Sequence, residues 1–341
     1  MQIKRLAIHI ILGFSLTLSV HAQTSCTESL LSAQRLYNEG IIEEIPAIIN
    51  PCIDNGFTRS ERVEAYKLLI LAYLFDDNQF EAENTITKFL REFPDYELMP
   101  NDPIEFVYFY KTFKVIPKFS FGFSAGANYS NPHVTQYYTT GNANDMQSND
   151  KWGFGYNLNF NISAYAKGRY GFNLGVNYGM QSYSFEDEIY NFTKTTVQES
   201  ITRITTPVSF TFDLTTDKVI PYVRIGVAGT FLQTATATPQ RDFLNLEESP
   251  ITGADINLIS KREFFNISAQ PGVGLKIKSG KGFIFFDARY NYHLFNEVIS
   301  TKRYDNQELW VKYYFLEDDF KVMSIDLSVG YNFTIFKAIK N

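Results

Sequence analysis

The stretch Phe119–Ser130, FSFGFSAGANYS, decides the fold because its side chains alternate in character along the chain. Odd positions are aromatic or alanine, and even positions are serine, glycine or asparagine. Successive side chains of a β-strand point to opposite faces, so the stretch predicts a strand with one apolar and one small polar face. It is longer than the usual five or six residues of soluble strands and suits a strand that crosses a bilayer at a tilt.

The same alternation recurs in seven later segments, at residues 152–164, 170–181, 203–214, 223–231, 265–275, 283–294 and 322–335. A soluble sandwich also alternates, but its solvated face would carry Lys and Glu rather than Gly, Ser and Asn. Short connections (166–169, 215–219, 278–281) alternate with long ones (131–150, 185–196, 234–258, 296–319). Outer-membrane barrels show this asymmetry between periplasmic turns and extracellular loops. We therefore predict an eight-stranded antiparallel transmembrane β-barrel over residues 117–341.

Composition excludes several other classes of protein. The 341 residues are 16% aromatic and 20% charged, which is typical of a folded chain rather than a disordered one. A formal net charge of −6 argues against a nucleic-acid partner. After the N-terminus, no apolar run is long enough for a transmembrane helix.

The first 22 residues have the pattern of a secretory signal peptide. Lys4 and Arg5 precede an apolar stretch, and Ala22 ends a small-residue cleavage site. Lipid attachment at Cys26 is the alternative, but the aliphatic residue expected three positions before such a cysteine is missing. The sequence thus predicts export to the outer membrane, with residues 23–116 in the periplasm and the long loops outside the cell.

Cys26 and Cys52 are predicted to form a disulfide, because cysteine pairs in oxidising compartments tend to be bonded. They lie at the start of one predicted helix (residues 25–39) and near the end of the next (42–53). Antiparallel packing of the two helices would bring them together. A redox or metal pair is the alternative, but the CxxC spacing and a nearby histidine are both missing.

Residues 63–96 resemble a tetratricopeptide (TPR) repeat, a pair of helices that stacks on its neighbours. A capping box at Thr58–Glu61 opens the first helix. Asp102 and Pro103 are predicted as N-cap and first residue of one more helix, rich in aromatics, that ends before Pro117. This helix is expected to pack on the preceding ones, with a position at the membrane interface as the alternative. The predicted fold class is therefore α+β, with a TPR-like helical domain (23–116) before the barrel.

Several short motifs carry a resemblance to a known barrel family. They are TPVSF at 206–210, IPYVRIG at 220–226, PGVGL at 271–275, DARYNY at 287–292 and GYNF at 330–333. Together they resemble the Bacteroidetes outer-membrane β-barrel family grouped as PorT-like. The resemblance implies a barrel in the outer membrane, and one named member of the group takes part in type IX protein secretion.

The alternation places a set of polar residues inside the barrel, namely Arg203, Asp213, Arg224, Lys276, Asp287, Arg289, His293 and Asp326. An eight-stranded barrel is just wide enough to be filled by side chains, so we interpret this set as a charge-paired network. A narrow ion or proton path is the alternative. The acidic loop residues are expected to be solvated, with weak cation binding as the alternative; they are Asp145, Asp150, Glu186, Asp187, Glu188, Glu247, Glu248, Glu317, Asp318 and Asp319.

These features favour a non-enzymatic outer-membrane protein that contacts lipid and whose residues 23–116 dock a periplasmic or outer-membrane protein. One alternative is a component of a secretion or transport complex that contacts cargo. Another is a lipid-modifying barrel enzyme, which would use His133 in the first long loop. No catalytic, cofactor-binding or metal-binding motif is recognised, and no cofactor is expected.

Overall fold

The computed structural model describes residues 25–139, 146–189, 192–244 and 248–340. The predicted signal peptide (1–22) and the loop residues Asp145 and Glu247 lie outside them. The described chain divides into a helical unit, residues 25–116 with 336–340, and a β-unit, Pro117–Ile335. Among the described helices, none is long and apolar enough to cross a membrane.

The helical unit contains five helices within its described residues. They are α1 (residues 25–39), α2 (Ile45–Ile53), α3 (Arg59–Phe75), α4 (Gln79–Glu92) and α5 (Ile104–Lys111). Gly40 follows α1 with a φ of 78°, a left-handed conformation that glycine adopts at helix ends without strain. The second helix begins three residues later than predicted, with Pro46 in its first turn.

The predicted capping box at the start of α3 is confirmed, because the Thr58 side chain and the Glu61 side chain each satisfy the other's backbone N–H. The predicted cap of α5 is wrong. Asp102 does not cap the helix, which begins at Ile104. Its carboxylate accepts hydrogen bonds from the Tyr96 hydroxyl at 2.6 Å and from the Met99 backbone N–H at 2.8 Å. Its Oδ1 also lies 2.8 Å from Nζ of the buried Lys67. This ion pair is stronger than the hydrogen bond that Asp102 would make as a helix cap.

Two apolar clusters hold the helical unit together. In the first, a disulfide joins Cys26 to Cys52, as predicted, and Ile45 and Ile49 are fully buried beside it. In the second, aromatic side chains of α3, α4 and α5 pack edge to face, and Phe106 is fully buried against Phe89. The predicted packing of the aromatic helix on the preceding helices is thus confirmed. That helix ends earlier than predicted, and Phe113 already belongs to a strand.

In the described residues, eight long strands form a closed antiparallel ring. They are β1 (Phe113–Gln136), β2 (Lys151–Ala166), β3 (Tyr170–Ile189), β4 (Thr193–Asp213), β5 (Val219–Phe243), β6 (Phe265–Ala269 and Gly272–Ser279), β7 (Gly282–His293) and β8 (Asp319–Lys340). Each strand pairs with the next along the chain, and β8 pairs with β1 to close the ring. Pro271, which has no N–H to donate, interrupts β6.

The connections define two ends of the barrel. The turn end carries the short connections 167–169, 214–218 and 280–281. The loop end carries the others, of which 137–150, 244–264 and 294–318 are long. At the loop end the short strands Met146–Ser148, Ile251–Thr252 and Ile256–Asn257 pair with β3 or β5. Short 3₁₀ helices at Ile259–Lys261 and Ser300–Asp305, and a π-helical turn at Glu308–Lys312, lie there too.

Near the turn end, the strands alternate as predicted, with apolar side chains pointing outward and mostly small polar or charged side chains pointing inward. The inward positions of β7 also include the buried Phe283 and Phe285. Phe172 is 61% exposed on the outside, for example, whereas its neighbour Gly171 is buried within the barrel. The outward residues have no protein core to pack on. A surface of this kind requires an apolar surrounding, as lipid provides.

Near the loop end, the alternation is reversed. The inward residues Tyr183, Phe185, Val197 and Ile201 are apolar and buried, while the outward positions of β3 and β4 carry Ser, Gln, Thr, Lys and Glu. This part of the barrel is therefore built like a soluble protein, with its core inside. The prediction of a long loop at 185–196 is wrong for this reason, since residues 185–189 and 193–196 pair with each other as the end of the β3–β4 hairpin.

Candidate functional site: the barrel interior

The interior near the turn end is an ion-paired layer. The Asp287 carboxylate accepts hydrogen bonds from Arg224 Nη1 at 2.9 and 3.0 Å and from the Tyr222 hydroxyl at 2.5 Å. Arg289 Nε lies 2.8 Å from its other oxygen. Lys276 donates to Asp213 at 2.7 Å. Opposite charges from the same strand or from strands two apart thus meet, which offsets the cost of burying them.

A layer of amides follows toward the loop end. Arg289 Nη2 donates to Asn159 Oδ1 at 3.1 Å, and Asn159 also hydrogen bonds to Asn177. Asp326, opposite Arg289 on the paired strand, accepts a hydrogen bond from the Ser324 hydroxyl at 2.9 Å. This layer links the ion pairs of the turn end to those of the loop end.

The third layer centres on Glu297, a fully buried residue of the β7–β8 connection. It accepts hydrogen bonds from Arg203 Nη2 at 2.6 Å and Asn266 Nδ2 at 3.0 Å, and it lies 2.5 Å from His293 Nδ1. Burial alone would raise the pKa of Glu297, but Arg203 and His293 hold it at about 2. The carboxylate is therefore ionised throughout the physiological range.

Seven of the eight residues predicted to point inward are buried inside the barrel, and the eighth, Arg224, is partly buried. The structure separates them into the turn-end group (Asp213, Arg224, Lys276, Asp287 and Arg289), Asp326 in the amide layer, and Arg203 with His293 beside Glu297. Sequence reasoning missed Glu297 because it lies beyond the last alternating residue of β7, in a segment predicted as a loop.

A fourth ionic group, beyond Glu297, was also missed. Arg262 donates to both oxygens of Glu199, at 2.7 and 2.8 Å, and lies 2.8 Å from Glu317. Around it, buried apolar side chains from the extended strands and the β7–β8 connection form the loop-end core: Tyr183, Phe185, Val197, Ile201, Leu232, Ala235, Ala237, Leu258, Val298, Leu309, Tyr313, Phe315, Phe320 and Val322. The reversed alternation of β3 and β4 in the sequence could have predicted this loop-end core.

Four acidic residues predicted to be solvated are buried instead. Glu186 pairs with Lys151 and Lys194, and Glu317 with Arg262. Asp187 and Asp318 are 2% and 1% exposed. Burial raises the pKa of Asp318 to about 7, although the Tyr138 backbone N–H donates to its carboxylate at 2.6 Å. Burial raises the pKa of Asp150 to about 6.

His133 also departs from its predicted place. It belongs to β1 rather than to a long loop, and its ring centroid lies 6.0 Å from that of Tyr292 on the neighbouring part of the sheet.

Two small polar cavities lie in the described interior. One of about 50 Å³ lies among Arg224, Arg289 and Asn173, and another of about 40 Å³ among Asn128, Arg203 and His293. Each has room for a few water molecules at most, because one water occupies about 30 Å³ in the liquid. The ion pairs and the loop-end core fill the rest, as expected for a barrel of this strand number.

Comparison with known proteins agrees with this architecture. The family model described as "Outer membrane protein beta-barrel domain" matches residues 110–298. The chain belongs to this outer-membrane β-barrel family. The predicted α+β fold, helices followed by an eight-stranded antiparallel barrel, is thereby confirmed, and so is the outer-membrane location.

Several solved outer-membrane proteins match about two thirds of the chain at low identity. Ail of Yersinia pestis is 15% identical, with 64% of this chain and 100% of that chain covered and a TM-score of 0.25. A major outer membrane protein of Thermus thermophilus is 13% identical, with coverages of 63% and 99% and a TM-score of 0.31. OprG of Pseudomonas aeruginosa is 8% identical, with coverages of 66% and 98% and a TM-score of 0.30. No curated protein sequence matches the chain.

Proposed function

We propose that the barrel anchors the protein and that its TPR-like helical domain, residues 23–116, docks another envelope protein in the periplasm. The observation that carries this proposal is the filled interior of the barrel. Charge pairs and apolar side chains occupy it, so binding is left to the parts outside the membrane.

The helical unit has the exposed apolar side chains that a docking surface needs. Ile104 and Tyr108 lie one turn apart on α5, and Tyr108 is 68% exposed. Phe75 and Phe80 flank the α3–α4 turn, and Phe80 is 72% exposed. Large apolar side chains that stay exposed in pairs are typical of protein interaction sites.

The periplasmic assignment rests on the even number of strands. The barrel begins and ends at its turn end, and in outer-membrane barrels the short turns face the periplasm. Stacked helical hairpins of the TPR type present extended surfaces to partner proteins, which is the physical basis for a protein partner.

The test is crosslinking and pulldown from native membranes, with mass-spectrometric identification of the captured proteins. We expect the full chain to capture a specific envelope protein, and the double substitutions Ile104→Ser with Tyr108→Ser, or Phe75→Ser with Phe80→Ser, to reduce capture. A control with Glu28→Gln and Lys88→Gln changes the helical unit without touching these side chains. Capture that persists when residues 23–116 are deleted would refute docking. It would favour a barrel that contacts secretion cargo, as the PorT-like resemblance implies.

A further inference from the structure

We propose that the turn end of the barrel binds the anionic headgroups of glycerophospholipids. This inference goes beyond the docking role but rests on the orientation assigned with it, in which the turn end lies at the periplasmic leaflet.

The turn end is strongly basic. Its three short turns with the strand residues next to them, 166–169, 214–218 and 278–281, carry five basic residues and a single acidic one, Asp217. The basic residues are Lys167, Arg169, Lys218, Lys278 and Lys281. The connections at the loop end are acidic. Residues 244–264 carry four acidic and two basic residues, and residues 294–318 carry five acidic and three basic residues. These turns therefore carry a net positive charge, whereas the two connections at the loop end carry a net negative charge.

The backbone holds two of these turns side by side. The Lys278 backbone N–H donates to the Lys218 carbonyl at 2.9 Å, and Lys278 Nζ donates to the Thr216 carbonyl at 2.7 Å. A phosphodiester beside these turns supplies a negative charge together with acceptor oxygens for ammonium and guanidinium donors.

The basic residues also lie at the edge of the apolar belt. Lys118 precedes the exposed Phe119, and its Nζ lies 5.5 Å from that ring centroid. Arg169 likewise precedes the exposed Tyr170, and Lys218 precedes the exposed Val219. Cationic side chains next to aromatic residues at the end of an apolar belt lie at headgroup depth. A lipid whose acyl chains cover Phe119 or Tyr170 would thus place its phosphate within reach of these cations.

The test compares lipid retention by the full chain after reconstitution in vesicles of equal phosphatidylglycerol and phosphatidylcholine. Native mass spectrometry of the re-extracted protein counts each lipid retained. One variant carries Lys167→Gln, Arg169→Gln and Lys281→Gln. A matched control removes three positive charges at the loop end, with Lys302→Gln, Lys312→Gln and Lys321→Gln. A third variant, Lys167→Arg with Lys281→Arg, keeps the charge.

We expect the wild type, the loop-end control and the arginine variant to retain phosphatidylglycerol preferentially. The turn-end variant should lose about fivefold in preference for each charge removed. Equal preference in the turn-end variant and the loop-end control would overturn the proposal. So would displacement of phosphatidylglycerol by added lipid A or by inorganic phosphate, or retention of an acidic protein in place of lipid. Docking is measured on the helical unit and lipid preference on the barrel, so either proposal can fail alone.

Discussion

Arg262 and Glu199 form a two-point ion pair inside the loop end of the barrel, with Nε 2.7 Å from Oε1 and Nη2 2.8 Å from Oε2. Both side chains are almost completely buried. Removing one partner leaves the other charge buried and uncompensated. We expect Arg262→Ala to lower the free energy of unfolding by about 3–5 kcal/mol. The measurement is the urea midpoint of the protein in lipid vesicles.

The matched control is Lys312→Ala. Lys312 pairs with Glu308 one helical turn away, and both side chains are exposed, so its loss should leave the midpoint unchanged. If Arg262→Ala behaved like this control, the buried pair would contribute nothing to the stability of the loop end.

Asp318 predicts a pH dependence of the loop end. Its folded pKa of about 7 lies above the ordinary 3.8, so the folded state binds more protons than the unfolded state between these values. Stability contributed by the protonated group is therefore lost as the pH rises from about 4 to 7, by up to about 1.4 kcal/mol per pH unit. Asp318→Asn should reduce this dependence, leaving the part contributed by Asp150, whose folded pKa is about 6, and should be more stable than wild type at pH 8. Urea midpoints at pH 5 and 8 measure it.

The control for this experiment is Asp305→Asn, because the Asp305 side chain is 56% exposed. It should keep the wild-type pH dependence. At lower pH the opposite sign applies, since the folded pKa of Glu297, about 2, lies below its usual 4.5. Its contribution is present above pH 4.5 and is lost as the pH falls toward 2. A wild-type midpoint that did not change between pH 5 and 8 would contradict the assignment to Asp318.

Gly56 lies against the disulfide of the helical unit. A Cβ atom added there would be 2.2 Å from Cys26 Sγ, so one of the two must shift. We expect Gly56→Ala to destabilise the helical unit by about 1–3 kcal/mol, as overpacking usually does. Thermal unfolding followed by helical circular dichroism measures it. Asn55→Ala, an exposed neighbour, is the control and should have little effect.

A double-mutant cycle tests the cause of this effect. In a background with Cys26→Ala and Cys52→Ala, the sulfur atoms are gone, and Gly56→Ala should cost much less. That background should itself be about 3.5 kcal/mol less stable, since the bond joins residues with a sequence separation of 26. An unchanged cost of Gly56→Ala would show that the strain lies elsewhere.

The filled interior predicts that the wild-type protein carries no steady current in a planar bilayer. The two polar cavities of about 50 and 40 Å³ are too small to form an aqueous channel. The Arg224–Asp287 pair and the loop-end core occupy the space around them. A steady open-channel current that disappeared in Arg289→Ala would contradict this and favour an ion path through the turn-end layer.

Sequence reasoning worked where one physical rule controlled every residue. Along Phe119–Ser130, each outward side chain meets an apolar surrounding and each inward one meets a narrow polar interior, so the period of two is unbroken. The capping box of α3 was equally predictable, because Thr58 and Glu61 are neighbours in sequence.

The same reasoning failed where the surroundings change along one strand. From Tyr183 onward β3 leaves the apolar belt, and its apolar side chains turn inward while its polar ones turn to solvent. The period of two continues, but the apolar residues now occupy the inward positions. Because we expected apolar residues only on the outside, we predicted a loop for this segment. The prediction for Asp102 failed for another reason. Its carboxylate pairs with Lys67, a residue distant in sequence, instead of capping the helix.

By itself, the sequence determined the number of strands, their inward and outward faces, the helices and the pairing of Cys26 with Cys52. These follow from local periodicity and from the compartment, which act on each segment separately. Only the tertiary structure decided which buried charges meet. Arg262 and Glu199 are 63 residues apart, and Arg203 and Glu297 are 94 apart. Closure of the ring brings them together, and burial then makes each charge depend on its partner.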